Sequence, residues 1–93
     1  MSQVVDNPTE QRYELRDGEQ LIGTITYRAR PDRITLIHTE VDPAYEGRGM
    51  GSRLVRGALD DIRGRGLKLV PRCEFVRAYL ARHPEESDLV VPR

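Results

Sequence analysis

Hydrophobic and polar residues alternate along the first part of the chain, in the pattern of half-buried β-strands. In segment 12–16 (RYELR), Tyr13 and Leu15 lie between charged neighbours, and segment 21–27 (LIGTITY) is rich in strand-forming residues. Asp17-Gly18 separates the two segments and is a typical hairpin turn. The pattern therefore predicts a β-hairpin.

A third strand follows a turn at residues 30–32 and covers segment 34–41 (ITLIHTEV). It should stop at Asp42-Pro43, because proline has no backbone N–H to donate to a neighbouring strand. Residues 1–9 are polar and contain an Asn-Pro pair, so we expect a flexible lead-in there and one folded domain over residues 10–93. Three antiparallel strands in succession are the predicted start of the fold.

After the third strand the hydrophobic period changes from two residues to 3.6, which predicts an amphipathic helix ended by Gly64 and Gly66. Its apolar face contains Leu54, Val55, Ala58, Leu59 and Ile62. Because this face is continuous, the helix should pack on the sheet.

The last third of the chain predicts a strand at 67–70 closed by Pro71, then a helix from Glu74 or Phe75 to Arg82. That helix is expected to bury Phe75, Tyr79 and Leu80, and segment 89–91 is expected to add an edge strand. The predicted order is β-β-β-α-β-α with a final β, in an α/β (α+β) fold with a mostly antiparallel sheet.

Composition limits the classes of protein that fit. A chain of 93 residues forms one domain with a thin core, and its 15 basic and 15 acidic residues leave no net field to attract nucleic acid or a membrane surface. The start of the chain is not a secretion signal, and Cys73 is the only cysteine, so we expect a cytoplasmic protein. His38 and His83 lack metal-ligand spacing, so no metal is expected.

The stretch 42–55 (DPAYEGRGMGSRLV) is the strongest candidate for chemistry. Three of the eight glycines occupy alternate positions 47, 49 and 51, directly before the first helix. The free N–H groups and positive dipole end of a helix favour an anion, and glycine lets a diphosphate approach the backbone. Arg48 and Arg53 add charge. The stretch matches neither the P-loop nor the dinucleotide-binding fingerprint, and a tight turn without a ligand is the open alternative.

The segment Glu46-Gly47-Arg48-Gly49-Met50-Gly51, between a strand and an amphipathic helix, resembles the acetyl-CoA motif of the GCN5-related N-acetyltransferases, Gln/Arg-x-x-Gly-x-Gly/Ala. The predicted order of elements agrees with that fold from its second strand onward. Segments 38–41, 45–47 and 66–76, together with Tyr79 and segment 82–85, also resemble the small single-domain subfamily called YjdJ-type acetyltransferases. Two residues depart from these patterns. Glu46 replaces the Gln or Arg of the broad family, and Glu74 replaces the proline usual after the cysteine.

The resemblance implies acetyl-CoA as co-substrate and assigns residues to its parts. Backbone groups near Glu40 and Val41 would pair with the pantetheine arm. The segment from residue 48 to residue 53 would hold the diphosphate through main-chain amides, and it contains Arg48, Gly49, Met50, Gly51, Ser52 and Arg53.

Four residues are candidates for the catalytic step. The resemblance implies that Cys73 accepts the acetyl group and that Tyr79 protonates the leaving thiolate, while Glu40 would act as general base with His38 as a relay. Each also has a purely structural interpretation: a small buried hydrophobe for Cys73, a core aromatic for Tyr79, and ordinary polar positions on a strand for the other two.

These observations together predict an N-acetyltransferase that transfers an acetyl group from acetyl-CoA to an amine, either a protein N-terminus, a lysine or a polyamine. Because only Asp17-Gly18 is seen between the first two predicted strands, the acceptor side should be open. A CoA-binding sensor or interaction module without turnover is the first alternative, and a nucleic-acid or protein adaptor is the second. Neither nucleic acid nor a membrane is the expected partner, since the arginines of the C-terminal part alternate with acidic residues.

Overall fold

The computed structural model describes residues 2–92 and contains a five-stranded sheet whose strands follow the order of the chain. The first four strands pair antiparallel and the last pair is parallel, which confirms the mostly antiparallel α/β fold expected from the sequence. The strands are β1 (Ser2–Asn7), β2 (Arg12–Asp17), β3 (Gln20–Arg30), β4 (Arg33–Val41) and β5 (Lys68–Pro71).

Helix α1 (Met50–Gly64) packs across the strands, and helix α2 (Glu74–Arg82) packs against β4 and β5. The predicted apolar face of α1 is confirmed, since its five residues are all fully buried. Two short 3-10 helices, Pro43–Tyr45 and Pro84–Leu89, follow β4 and α2. Among residues 2–92, neither helix has the length and apolar character needed to cross a membrane.

The prediction of a flexible lead-in over residues 1–9 is wrong for residues 2–7. These residues form β1, which pairs with β2 from Ser2↔Asp17 to Asn7↔Arg12. Val4 of this strand packs against the core and lies beside Gly57 of α1. The short tract therefore gains its order from β2 and α1 rather than from its own composition. The first two strands are joined at residues 8–11, and the predicted turn, at residues 18–19, joins the second to the third.

Two expectations for the C-terminal part are also wrong. Segment 89–91 does not form a strand, since Leu89 ends a 3-10 helix and Val90 makes a single parallel bridge to Leu69. Phe75 is 40% exposed, whereas the buried residues of α2 are Val76 and Tyr79. The aromatic ring of Phe75 is therefore available to line a surface cavity.

The buried carboxylate of Glu14 on β2 forms a hydrogen bond to β1. Glu14 is 3% exposed and accepts hydrogen bonds from Arg12 and Arg16 at 2.8 Å each and from Asn7 at 3.0 Å. Burial alone would raise the pKa of Glu14, but these donors outweigh it and lower the pKa from 4.5 to about 2. The charged form is therefore the one that stabilises the fold.

We expect Glu14→Gln to lower the free energy of unfolding at pH 7 by up to about 3 kcal/mol. Because the folded pKa of Glu14 is depressed, its contribution is fully present above the unfolded value near 4.5 and is lost as the pH falls toward about 2. Urea denaturation of both proteins at pH 7 and near pH 2.5 measures this, with exposed Glu19→Gln as control. A difference between wild type and Glu14→Gln that stays the same at both pH values would contradict the ion-pair account.

Candidate functional site

The site begins where β4 and β5 separate. The last paired residues of the two strands are Leu36 and Pro71, and the Leu36 carbonyl then accepts the N–H groups of Arg72 at 3.0 Å and Cys73 at 3.1 Å. From there the chain turns into α2, while β4 continues to Val41 without a strand on that side within residues 2–92. The separation leaves a stretch of β4 backbone open to a ligand.

A β-bulge lies at the same point in β4. Thr26 pairs with His38 and Tyr27 pairs with Leu36, so Ile37 is an extra residue in the strand. Ile37 and His38 are both exposed, and Thr39 turns toward α2, where its hydroxyl oxygen lies 3.2 Å from the Cys73 sulfur. The bulge therefore places a hydroxyl group beside the thiol.

A cavity of about 440 Å³ lies between the end of β4 and the start of α1. Thr39 and Val41 line it from β4, and Phe75 and Arg82 line it from α2. Its remaining wall is the turn and first residues of α1, namely Tyr45, Glu46, Gly47, Gly49, Met50, Gly51 and Ser52. The cavity thus joins the open stretch of β4 to the glycine-rich turn.

The first turn of α1 lacks the side chains that usually accept hydrogen bonds from the free N–H groups of a helix N-terminus. Gly49 is its N-cap, in the left-handed conformation with φ of 76°, and provides no side-chain hydrogen bond. The first turn contains no acidic residue, and the earliest backbone bond of the helix runs from the Arg53 N–H to the Gly49 carbonyl at 3.1 Å. Within residues 2–92, the amides at positions 50–52 are therefore left for another acceptor.

Close approach explains a second glycine of the turn. A Cβ on Gly51 would lie 2.5 Å from the Phe75 Cζ atom, well inside van der Waals contact. The Phe75 ring can therefore lie over the start of α1 only because position 51 has no side chain. Together the glycines and the ring form a cradle whose polar wall is backbone N–H groups.

Cationic side chains surround this helix start. The Arg48 guanidinium lies over the Tyr45 ring at 5.9 Å from its centroid, and Arg82 lines the cavity. Arg53 hydrogen-bonds the Ser2 hydroxyl and lines a neighbouring cavity of about 250 Å³, together with Ser52 and Arg56. The positive charges and the helix N-terminus both favour an anionic ligand.

Cys73 is the N-cap residue of α2 and is 7% exposed. Burial raises the pKa of its thiol, but the Thr39 hydroxyl and the backbone N–H groups of Val76, Phe75 and Thr39 outweigh burial, so the pKa is lowered. A lowered pKa makes more thiolate at neutral pH, and the thiolate is the nucleophilic form. The position therefore suits a reactive thiol.

Tyr79 does not line the larger cavity. It is 4% exposed, its ring stacks on His83 with centroids 4.1 Å apart, and both line the smaller cavity. Burial and, after it, the charge of Glu86 raise the pKa of Tyr79, so its hydroxyl is protonated at neutral pH. Ser52 lines both cavities and is the link between this tyrosine and the glycine turn.

His38 and Glu40 form a pair of their own. The His38 Nε2 and Glu40 Oε1 atoms are 3.1 Å apart, and the two side chains are 62% and 73% exposed. They lie on the same side of β4, as the sequence indicates, but neither lines the cavity that contains Thr39. The two residues are therefore placed on the solvent side of the strand, away from the Cys73 thiol.

The structure thus brings together one part of the predicted site and separates the rest. The predicted residues that line the larger cavity are Val41, Gly49, Met50, Gly51 and Ser52. Thr39, Phe75 and Arg82 also line it and were not predicted as site residues. Arg82 is the basic residue of the last turn of α2, a position that the sequence shows, whereas the places of Thr39 and Phe75 depend on the bulge and on tertiary packing.

Comparisons with known proteins show which family the sequence matches. Residues 12–89 match the family model described as GCN5-related N-acetyl-transferase. Protein NATD1 of Gallus gallus and of Mus musculus are each 37% identical over 51 residues, or 55% of this chain and 46% of the relative. The matched segment thus spans about half the length of these curated relatives.

Two solved structures resemble this fold, one over nearly the whole chain and the other over part of it. A GCN5-like protein of Staphylococcus aureus, solved by NMR, superposes with a TM-score of 0.71 at 22% identity, over 98% of this chain and 89% of that chain. The ribosomal-protein-S18-alanine N-acetyltransferase of Escherichia coli superposes with a TM-score of 0.57 at 25% identity, over 64% of this chain and 41% of that chain. The superposition on the Staphylococcus aureus protein covers nearly the whole chain and therefore includes β1.

Proposed function

Because the chain belongs to the GCN5-related N-acetyltransferase family, we propose that it binds acetyl-CoA and transfers the acetyl group to an amine. The observation that carries this proposal is the uncapped start of α1, where a helix without a side-chain cap or an acidic residue faces a cavity. Helix amides and a positive dipole end are suited to a diphosphate, and a hydrogen bond to a charged group contributes about 1.5 to 3 kcal/mol.

The residues present fit each part of the co-substrate. Arg48, Gly49, Met50, Gly51, Ser52 and Arg53 would hold the diphosphate. The backbone of Glu40 and Val41, on the open stretch of β4, would hold the pantetheine arm in the manner of an added strand. The thioester supplies the activated acetyl group, and the chain supplies the binding surface and the proton transfers.

Cys73 is proposed as the acetyl acceptor within the protein. Its thiolate sulfur would form a bond to the acetyl carbon as the bond to the CoA sulfur breaks, and the CoA thiolate would take up a proton. An amine would then attack the S-acetyl group, lose a proton and restore the Cys73 thiolate. Tyr79 is the proposed proton donor, and Glu40 with His38 the proposed base and relay, acting through water because they lie outside the cavity.

The acceptor is proposed to be an amine presented from outside the fold. The connections from β1 to β2 and from β2 to β3 are short turns at residues 8–11 and 18–19, so neither adds a wall over the sheet. An open surface suits a protein N-terminus, a lysine side chain or a polyamine. Because a free thiol nucleophile needs reducing surroundings, we also propose a cytoplasmic location.

Calorimetric titration with CoA, followed by mass spectrometry of amine acceptors incubated with acetyl-CoA, tests the proposal. We expect binding of CoA and acetylation of at least one amine class. Binding without transfer to any amine would instead support a CoA-binding sensor or interaction module. An absence of CoA binding would overturn the assignment and leave the glycines as a turn.

A further inference from the structure

A second surface carries a charge pattern that the proposed co-substrate does not use. The outer side of the sheet, at the corner formed by β3, β4 and β5, has a groove of about 530 Å³ lined by Arg28, Arg30, Arg33, Thr35, Ile37, Val70 and Arg72. We call this set the arginine groove. It contains four of the cationic side chains of a protein whose net charge is zero.

The arginines of the groove have fewer acidic partners than the arginines of β2 and of the C-terminal end of α1. Arg12 and Arg16 share Glu14, and Arg63 binds Glu86 and Asp88. In the groove, by contrast, only Arg33 has a carboxylate within ion-pair distance, that of Asp32 at 3.0 Å. Within the described part of the chain, the guanidinium groups of Arg28, Arg30 and Arg72 have no carboxylate within ion-pair distance. The carboxylate at this corner, that of Asp32, binds Arg33 and also acts on the charge of Arg30, so the four arginines of the groove exceed the acidic charge beside them.

The register of the sheet makes this arrangement unfavourable for the isolated protein. Arg30 pairs directly with Arg33 across β3 and β4, and like charges at such positions repel each other. The carboxylate of Asp32 offsets part of this repulsion, because it binds Arg33 and also acts on the charge of Arg30. A solvent-exposed cluster of like charges attracts a ligand of the opposite charge, so an anionic partner would suit this groove.

The diphosphate of CoA is not that partner. The groove lies at the Arg33 end of β4, and the glycine turn follows the Val41 end. At about 3.3 Å per residue, Ile37, the groove residue of β4 nearest the turn, is about 13 Å from Val41. The groove shares no lining residue with the cavity at the glycine turn. The groove nevertheless reaches the proposed transfer site, because Arg72 immediately precedes Cys73 and both residues bond to the Leu36 carbonyl.

We propose that the arginine groove docks an acidic segment of a protein acceptor and directs that acceptor's amine to the transfer site. The inference rests on the proposed function for the amine, while the docking itself depends only on the groove. A polypeptide fits better than nucleic acid, because the lining residues include no aromatic ring on which a base could stack. The same positive charge would repel a polyamine acceptor.

Direct binding without CoA tests the inference separately from the enzymatic activity. The probe is a fluorescein-labelled peptide of about ten residues, rich in glutamate and with one lysine, measured by fluorescence anisotropy at low salt. We expect binding that weakens as salt rises, and a loss of about tenfold or more in affinity for the Arg28→Glu/Arg72→Glu double variant. Arg56→Glu on α1 serves as a charge control and should change the affinity by less than about threefold.

Arg30→Glu distinguishes loss of the docking surface from loss of the fold. A glutamate opposite Arg33 replaces a like-charge pair with an attractive one, but it also exchanges the attraction between Arg30 and Asp32 for repulsion. The variant should therefore keep a stability close to that of wild type while binding the peptide more weakly.

Peptide affinity that is unchanged in the groove variants, or equally reduced in Arg56→Glu, would overturn the inference. So would tighter binding of a single-stranded DNA probe of matched charge, lost in the same variants, since the groove would then be a nucleic-acid surface. A parallel CoA titration separates the two proposals: wild type that binds the peptide but not CoA would refute the acetyltransferase proposal and leave the docking groove intact.

Discussion

Replacing Gly49 with valine is expected to weaken CoA binding by about a hundredfold. Gly49 has a φ of 76° at the N-cap of α1, a conformation that a β-branched residue adopts only with strain. If the turn relaxes, the amides at positions 50–52 no longer converge on one anion. Loss of about two charge-assisted hydrogen bonds costs about 3 kcal/mol, and each 1.4 kcal/mol is a factor of about ten in affinity.

Gly66→Val is the matched control because it carries the same strain at the other end of the helix. Gly66 has a φ of 70°, and, as at Gly49, a Cβ would meet no atom within 4 Å. Both variants should lose a similar amount of stability, about 1 to 3 kcal/mol by urea denaturation. Calorimetric titration should show weakened CoA binding in Gly49→Val alone. Equal losses of CoA affinity in the two variants would mean that general destabilisation, and not the turn, is responsible.

Removing the thiol is expected to abolish covalent acetylation of the protein completely. Intact-mass spectrometry after incubation with acetyl-CoA should show the mass increase of one acetyl group in wild type and none in Cys73→Ala, provided that the variant still binds CoA. If Cys73→Ala keeps both CoA binding and transfer to an amine, the acetyl group passes directly to the acceptor and the cysteine is a packing residue.

Thr39→Val tests why the thiol is reactive. The hydroxyl of Thr39 lies 3.2 Å from the Cys73 sulfur and helps to lower the pKa of the thiol, and valine has nearly the same shape without a donor. The pKa should therefore rise in the variant, leaving less thiolate at pH 7. A hydrogen bond worth about 1 kcal/mol corresponds to about fivefold slower alkylation by iodoacetamide at pH 7. An alkylation profile that does not move to higher pH would show that Thr39 does not stabilise the thiolate.

The sequence was most informative where a local pattern and the final packing agree. The spacing of Leu54, Val55, Ala58, Leu59 and Ile62 predicted α1 and its buried face, because a helix of this length must cover a sheet whatever the details of the contact. The glycine turn was equally clear, since the positive φ of Gly49 is a requirement of the local backbone. The need for glycine at position 51 comes instead from the Phe75 ring, a contact distant in sequence.

Features that depend on partners distant in sequence could not be predicted in this way. The polar tract 2–7 becomes a strand only because β2 offers it an edge and Gly57 leaves room for Val4. The bulge at Ile37 results from the pairing of β3 with β4 and has no signal in the alternation of β4 itself. Phe75 is an aromatic residue of the kind usually found in a core. In the structure its ring instead lies beside Gly51 at the edge of the cavity, where it is partly exposed to solvent.

The agreement between strand order and chain order has a consequence for how the protein folds. Each of β2, β3 and β4 can pair with the strand synthesised just before it, so most of the sheet closes only short loops, a topology that favours rapid folding. The pairing of β4 with β5 is the exception. Its paired residues, such as Arg33 and Lys68, are separated along the chain by the whole of α1. We therefore expect the four-stranded meander to collapse first and the transfer site, which lies at that late junction, to form last.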